Sequence, residues 1–253
     1  LKEEASDPIE MSKLMHEYEM TRNLNVEGII RPLGLERSGR TFALILEDVG
    51  AVSLREYTAR HDRLNLSEFL HMAIQLSEIL ERIHQEGIIH SDLKPENILV
   101  SSPAKKVYII DFSTSVRISP ENKNLLSNSL AGSLAYMSPE QTGQLNVAMD
   151  RRSDLYSLGV VFYEILTGSL PFQAENASDW TYAHLTRKPK SPDEIVPTIP
   201  QALSDIIMKL LEKDPEERYQ SAYGLCWDLK ECKNQLNELG QIAPIPIGKM
   251  DGY

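Results

Sequence analysis

Residues His90-Ser91-Asp92-Leu93-Lys94-Pro95-Glu96-Asn97 place a carboxylate, an ammonium and an amide within one short stretch. An apolar run, Ile98-Leu99-Val100, follows at once, and a second run, Val107-Tyr108-Ile109-Ile110, leads into Asp111-Phe112-Ser113. A carboxylate can orient a hydroxyl and take its proton, and a Lys can offset charge on a phosphoryl group in transit. Asn and Asp supply hard oxygen donors of the kind magnesium prefers. These are the parts that phosphoryl transfer requires. Each of them alone reads as a polar residue in a solvated turn; four in register beside apolar strand segments read as a site.

The elements that must carry this loop are visible as periodicity. Ile9 to Leu24 reads as a helix, with Met11, Leu14, Met15, Tyr18 and Leu24 near helical spacing. Ile29 to Leu35 and Thr41 to Glu47 read as strands joined by the turn Arg37-Ser38-Gly39-Arg40. Asn65 and Glu68 form a capping-box pattern ahead of the stripe Leu70, Ala73, Ile74, Ser77, Leu80 and Ile83. That helix delivers the chain to Gly87 and the loop at His90. The segment from Ser113 to Leu130 is polar and reads as a surface loop. Asp154 to Thr167 is apolar on nearly every side and reads as a buried helix. Two amphipathic helices follow, striped by Leu203, Ile206, Ile207, Leu210 and Leu211, then by Leu225, Leu229, Cys232 and Leu236. The stretch from Gly240 to Tyr253 carries Pro244, Pro246, Gly248 and Gly252 and reads as a linker rather than a packed element.

Composition narrows the classes. The 253 residues suffice for one large domain or two small lobes. A net charge of −11 disfavours a nucleic-acid partner, which needs a basic surface. No apolar run is long enough for a membrane span. Cys226 and Cys232 fall on different faces of one predicted helix, so they read as buried thiols suited to a reducing cytoplasm.

The two loops, read as H-x-D-x-K-x-x-N and D-F-x, resemble the catalytic and metal-binding loops of eukaryotic-type Ser/Thr protein kinases. The resemblance covers roughly Leu1 to Leu239. It implies an α+β, bilobal protein-kinase fold, with an incomplete small N-lobe and hinge over 1–52, a mainly helical C-lobe over 53–239 and a linker or tail over 240–253. ATP and Mg²⁺ would be the cofactors, and a protein with a Ser or Thr acceptor the partner. By this resemblance Asp92 orients the acceptor hydroxyl, Lys94 reaches the transferred group, and Asn97 and Asp111 hold metal. Ser133 in Gly132-Ser133-Leu134-Ala135-Tyr136-Met137-Ser138-Pro139-Glu140 matches the hydroxyl that bridges Asp92 and Lys94. Glu17 matches the helix Glu that pairs with a strand Lys, with Glu19 as a competitor. Leu46, Glu47 and Val49 match the gatekeeper and hinge, and Leu99 an adenine-side contact. His90 is expected to pack on Phe112, Asp154 to hold the loop backbone, and Glu140 to pair with Arg218.

Three departures stand out. Ser91 replaces the Arg that usually reads a loop phosphate, which puts activation through Ser127 or Ser129 in doubt. Ser113 replaces the Gly of D-F-G. No G-x-G-x-x-G loop or V-A-I-K-like Lys precedes the first helix, and Lys2 is a poor substitute. Truncation of the N-terminal strands is the expected explanation, with weak ATP binding by the chain as it stands. The stretches His16-Glu17-Tyr18-Glu19 and Gln141-Thr142-Gly143 are similar to the kinase domain of large bacterial hybrid proteins that add an ATPase module and often a histidine kinase. Further domains of the same polypeptide are then expected partners. The alternatives are a pseudokinase scaffold and a small-molecule phosphotransferase; Lys94 with Ser138-Pro139-Glu140 and Arg218 speaks against the second.

Overall fold

The computed structural model describes residues 2–5, 7–39, 41–60, 64–103, 105–118 and 133–251. In the small lobe, β1 (Lys2–Ala5) is followed by α1 (Pro8–Thr21), β2 (Pro32–Ser38) and β3 (Thr41–Leu46). Asp7 caps α1 by accepting from the Ile9 amide at 2.8 Å, and Pro8 sits where its missing N–H would have no partner anyway. The strands form an antiparallel sheet of order β1-β3-β2, in which Lys2 lies opposite Ile45 and Leu35 opposite Leu44. Leu14 of α1 packs with Ile30, Leu44, Leu46 and Leu99 as a small apolar core.

The strand expected from Ile29 begins only at Pro32. Ile29 instead forms a parallel bridge to Ile109 and joins the large core, while Ile30 joins the small one. The apolar run that resembles a strand start is used to tie the two lobes together.

The large lobe continues through β4 (Ala51–Ser53), α2 (Leu54–Ala59), α3 (Leu66–Gln85), β5 (Ile88–Ile89), β6 (Ile98–Ser101), β7 (Val107–Ile109) and β8 (Val116–Arg117). β4-β6-β7 form one small sheet and β5-β8 another. The expected division after residue 52 falls inside β4, which pairs with β6. The capping box at Asn65 and Glu68 is formed in both directions. Four helices come next: α4 (Arg151–Thr167), α5 (Ala177–Thr186), α6 (Pro192–Ile195) and α7 (Gln201–Leu210), and α8 (Ala222–Leu239) closes the lobe.

Every residue of α4 from Ser153 to Tyr163 is buried, as its apolar composition predicts. Gly159 has a packing reason: a Cβ there would lie 2.6 Å from Cβ of Leu210, so the glycine lets α4 and α7 approach. The helices α5 and α6 are short and weakly patterned, so no hydrophobic periodicity announces them. Cys226 and Cys232 are buried free thiols; burial pushes both up, Cys232 to about 12. Among the described residues no helix is long and apolar enough to cross a membrane.

The segment after α8 corrects the expectation of an unpacked linker. Ile242, Ile245 and Ile247 pack on the large core. The Gly248 amide donates to Asp228 Oδ2 at 2.7 Å, and Asp251 accepts from the Gln220 and Ser221 amides at 2.7 and 3.0 Å. Gly224 makes room, since a Cβ there would meet Asp251 at 2.7 Å. Gly240 ends the helix, yet the isoleucines beyond it still find apolar surface to cover.

Candidate active site

The loop at His90 is held from below by α4. Asp154, fully buried, accepts from the His90 amide at 2.9 Å and the Ser91 amide at 2.8 Å. A buried carboxylate needs such donors, and His84 of α3 adds a third contact through Nε2 at 2.9 Å, which the sequence did not reveal. Ser91 has φ 70°, a left-handed conformation uncommon for residues other than glycine. Asp154 and Gln141, whose Nε2 donates to the Ser91 carbonyl at 2.7 Å, hold it there.

His90 packs edge-on against Phe112, with ring centroids 4.9 Å apart. Its Nδ1 accepts from the Asp92 amide at 3.3 Å, so Nε2 carries the proton and donates to the Ile110 carbonyl at 3.0 Å. The imidazole is committed to backbone on both sides, in keeping with the expected packing role.

Asp92, Lys94, Asn97 and Ser133 form one cluster. Lys94 Nζ donates to Asp92 Oδ2 at 2.6 Å and to Ser133 Oγ at 2.8 Å. The Ser133 amide donates to Asp92 Oδ1 at 2.6 Å. Asn97 Nδ2 donates to the Asp92 carbonyl at 2.9 Å and to Oδ2 at 3.3 Å. Charge-assisted bonds of this kind fix the carboxylate's orientation without filling all its lone pairs.

Asn97 and Asp111 meet through the hairpin of β6 and β7. Ile98 lies opposite Ile109, and the Ile110 amide donates to the Asn97 carbonyl at 3.0 Å. Asp111, with φ 66°, is turned out of the strand path. Its Oδ1 accepts from the Ser113 hydroxyl at 2.6 Å, a contact that the Gly expected at that position could not make. Among the described residues, Asn97 Oδ1 and Asp111 Oδ2 take no hydrogen bond, leaving hard oxygens that fit a magnesium ion.

The two candidate glutamates on α1 have different surroundings, and Glu17 is the one turned inward. It is buried and accepts from the Phe112 amide at 3.2 Å, while Glu19 is half exposed and pairs with Arg22 at 2.9 Å. His16 adds a bond from Nε2 to the Ser115 carbonyl at 2.8 Å, unseen in the sequence. Leu46 and Leu99 share the small apolar core, with Val49 packed against it. The Glu47 amide is used by the Arg31 carbonyl at 3.0 Å, whereas the Glu47 carbonyl and Val49 amide take no backbone partner among the described residues. A carbonyl and an amide left open two residues apart suit the hydrogen-bonding edge of a purine. Ser127 and Ser129 lie outside the described residues.

The segment beyond Ser133 is locked by a buried ion pair. Arg218 Nη1 and Nη2 donate to Glu140 Oε1 and Oε2 at 2.6 and 2.8 Å. The guanidinium also serves the carbonyls of Glu212, Lys213 and Arg152.

A scan of family models matches residues 1–228 to the protein kinase domain. The chain belongs to the protein kinase family. A probable serine/threonine-protein kinase of Clostridium perfringens is 34% identical over 216 residues, 85% of this chain and 31% of the relative. The serine/threonine-protein kinase PrkC of Bacillus subtilis is 31% identical over 237 residues, 92% of this chain and 36% of the relative. Hybrid signal transduction histidine kinase G of Dictyostelium discoideum is 32% identical, with 71% of this chain matched to 7% of the relative. The chain thus spans about a third or less of the length of these relatives. The family generally uses ATP and Mg²⁺, and the α+β bilobal architecture is the one the motifs imply.

The kinase segment at Leu134 rests on a second buried group. His184 Nε2 donates to the Leu134 carbonyl at 2.9 Å, and its Nδ1 accepts from the Tyr156 hydroxyl at 2.9 Å. Trp180 and Phe172 flank the ring, and Lys213 Nζ lies 3.3 Å from the same hydroxyl. Burial, then the Lys213 charge, hold His184 down at about 4, below its ordinary 6.5. The unfolded chain therefore takes up this proton first as pH falls, and stability declines through the window from 6.5 to about 4. From about pH 7 to about pH 5 the loss from this residue should be about 2 kcal/mol. Urea unfolding of the parent and of His184→Gln at the two pH values measures it; an unchanged pH slope in the variant would refute the assignment.

Proposed function

We propose that the domain transfers the γ-phosphoryl group of ATP to a Ser or Thr hydroxyl of a protein substrate. The observation that carries this reading is the hydrogen-bonded cluster of Asp92, Lys94, Asn97 and Ser133, with Asp111 across the hairpin. Asp92 orients the acceptor hydroxyl and takes its proton as the oxygen attacks. A carboxylate is a weak base at neutral pH, so orientation is its larger contribution. Lys94 is placed to offset charge on the group in flight, and Ser133 keeps Asp92 and Lys94 in register. Asn97 Oδ1 and Asp111 Oδ2 would hold Mg²⁺, which when bound neutralises phosphate charge. The Glu47 carbonyl and Val49 amide would meet the adenine edge, with Leu46, Val49 and Leu99 against its faces. Glu17 holds the Asp111-Phe112 turn toward the cleft.

The kinase names of the two bacterial relatives support Ser/Thr as acceptors, and the hybrid histidine kinase supports a place among further signalling domains. The buried thiols suit a reducing cytoplasm.

The test is a transfer assay with γ-labelled ATP on the natural full-length polypeptide, followed by phosphoamino-acid analysis. Label on Ser or Thr of protein, lost on chelation of Mg²⁺, is the expected result. Label only on a small alcohol or amine would overturn the protein-substrate reading, and nucleotide binding without any transfer would favour a scaffold.

A further inference from the structure

Ser113, at the position where the loop motif has Gly, turns its hydroxyl onto the neighbouring carboxylate. Its Oγ donates to Asp111 Oδ1 at 2.6 Å, and its amide donates to the same oxygen at 3.3 Å. A carboxylate oxygen offers about two lone-pair directions, so one residue fills Oδ1 completely. Asp111 Oδ2 takes no hydrogen bond among the described residues. The carboxylate therefore presents one open oxygen instead of two. The turn around it is pinned by other groups. The Phe112 amide donates to Glu17 Oε1 at 3.2 Å, and the Phe112 carbonyl accepts from the Ser115 amide at 3.1 Å and the Ser115 hydroxyl at 2.6 Å. Loss of the Ser113 hydroxyl would thus change Asp111 and leave the backbone path as it is.

The number of open oxygens bears on which cation the site accepts. Mg²⁺ demands a small, near-ideal octahedron and is served by one oxygen of a carboxylate, completed by water and phosphate. Ca²⁺ is larger, gathers about six to eight oxygens and often takes both from one carboxylate.

We propose that Ser113 is a positioning residue that sets the cation preference of the site: by occupying Asp111 Oδ1 it leaves Oδ2 as the single ligand oxygen, which admits Mg²⁺ and disfavours Ca²⁺. Removing the hydroxyl frees a lone pair on Oδ1 and lets a larger ion engage both oxygens. The inference rests on the reading of Asp111 as a metal ligand, and its readout is metal binding, which is independent of transfer.

The experiment uses Mn²⁺ as the probe, with the natural full-length polypeptide and a saturating non-hydrolysable ATP analogue. Electron paramagnetic resonance separates bound from free Mn²⁺, and its displacement by Mg²⁺ and by Ca²⁺ gives their relative affinities. The nucleotide's own share of metal binding is common to all variants and cancels between them. Ser113→Ala keeps the backbone amide and removes the hydroxyl, and Ser113 lies outside the left-handed region, so alanine fits there. This variant should shift the preference about tenfold toward Ca²⁺, the size expected of one hydrogen bond to a charged group. Ser113→Gly should do the same and covers the case in which Ser113→Ala fails to fold. Ser113→Thr, which retains the hydroxyl, should keep the parent preference. An unchanged ratio of Ca²⁺ to Mg²⁺ affinity in Ser113→Ala and Ser113→Gly would overturn the proposal while leaving the metal site intact. A shift in Ser113→Thr equal to that in Ser113→Ala would do the same. Asp111→Asn should release the Mn²⁺ that the parent holds. Full retention of Mn²⁺ by that variant would instead overturn the reading of Asp111 as a ligand, and the proposal with it.

Discussion

Asp92→Asn should lower phosphoryl transfer by about 10³-fold while the domain still folds. The carboxylate receives Lys94 and Asn97 on Oδ2 and the Ser133 amide on Oδ1. An Asn side chain offers one carbonyl oxygen in place of two acceptors, and its NH₂ would face either the Lys94 ammonium or the Ser133 amide, donor against donor. It also carries no charge to stabilise a departing proton. Chemistry and ground-state order are lost together, so the loss should appear in kcat and in single-turnover rates. Thermal unfolding provides the control, because Asp92 sits above the core and Asp154 still anchors the loop backbone. Undiminished transfer by a folded Asp92→Asn would refute the mechanism.

The second large effect concerns stability. Arg218→Ala should destabilise the large lobe by about 3–5 kcal/mol, the usual result of breaking one side of a buried ion pair. The Glu140 and Arg218 side chains are 1% and 0% exposed. Among the described residues, removing the guanidinium leaves Glu140 with the Ser153 hydroxyl, at 2.7 Å, as its remaining donor. It also strips three backbone carbonyls, those of Glu212, Lys213 and Arg152, of a donor. Arg218→Lys should recover only part of the loss, because one ammonium cannot span five acceptors laid out for a planar fork. The double variant Glu140→Leu with Arg218→Met should be more stable than Arg218→Ala alone, since it removes the stranded charge. Urea midpoints of the three variants test the ordering. A Glu140→Leu, Arg218→Met protein no more stable than Arg218→Ala would show that the stranded charge is not the main cost, leaving the three carbonyls that lose their donor as the larger one.

The site was legible wherever its residues are close in sequence. Asp92, Lys94 and Asn97 lie within six positions, and the apolar runs on either side announce the hairpin that brings Asp111 beside them. Helices were legible where burial is one-sided or complete, as in α3 and α4. Legibility failed at Ile29, where an apolar run serves two cores, and after α8, where helix-breaking residues concealed isoleucines that pack. It also failed for α5 and α6, whose mixed patterns match neither period.

The sequence by itself determined the chemistry: which oxygens and which ammonium stand in register, and which family the loops belong to. Local spacing is fixed by covalent geometry, so it survives in a linear string. Only the tertiary structure gave Glu17 and Glu19 different surroundings, because both lie on one helix and only one of its faces meets Phe112. It alone brought His84 to Asp154 and set Arg55 between Glu96, Glu164 and Tyr136, contacts that span 41 to 109 positions. Such pairings leave no periodic trace, since each depends on how whole elements pack rather than on neighbours along the chain.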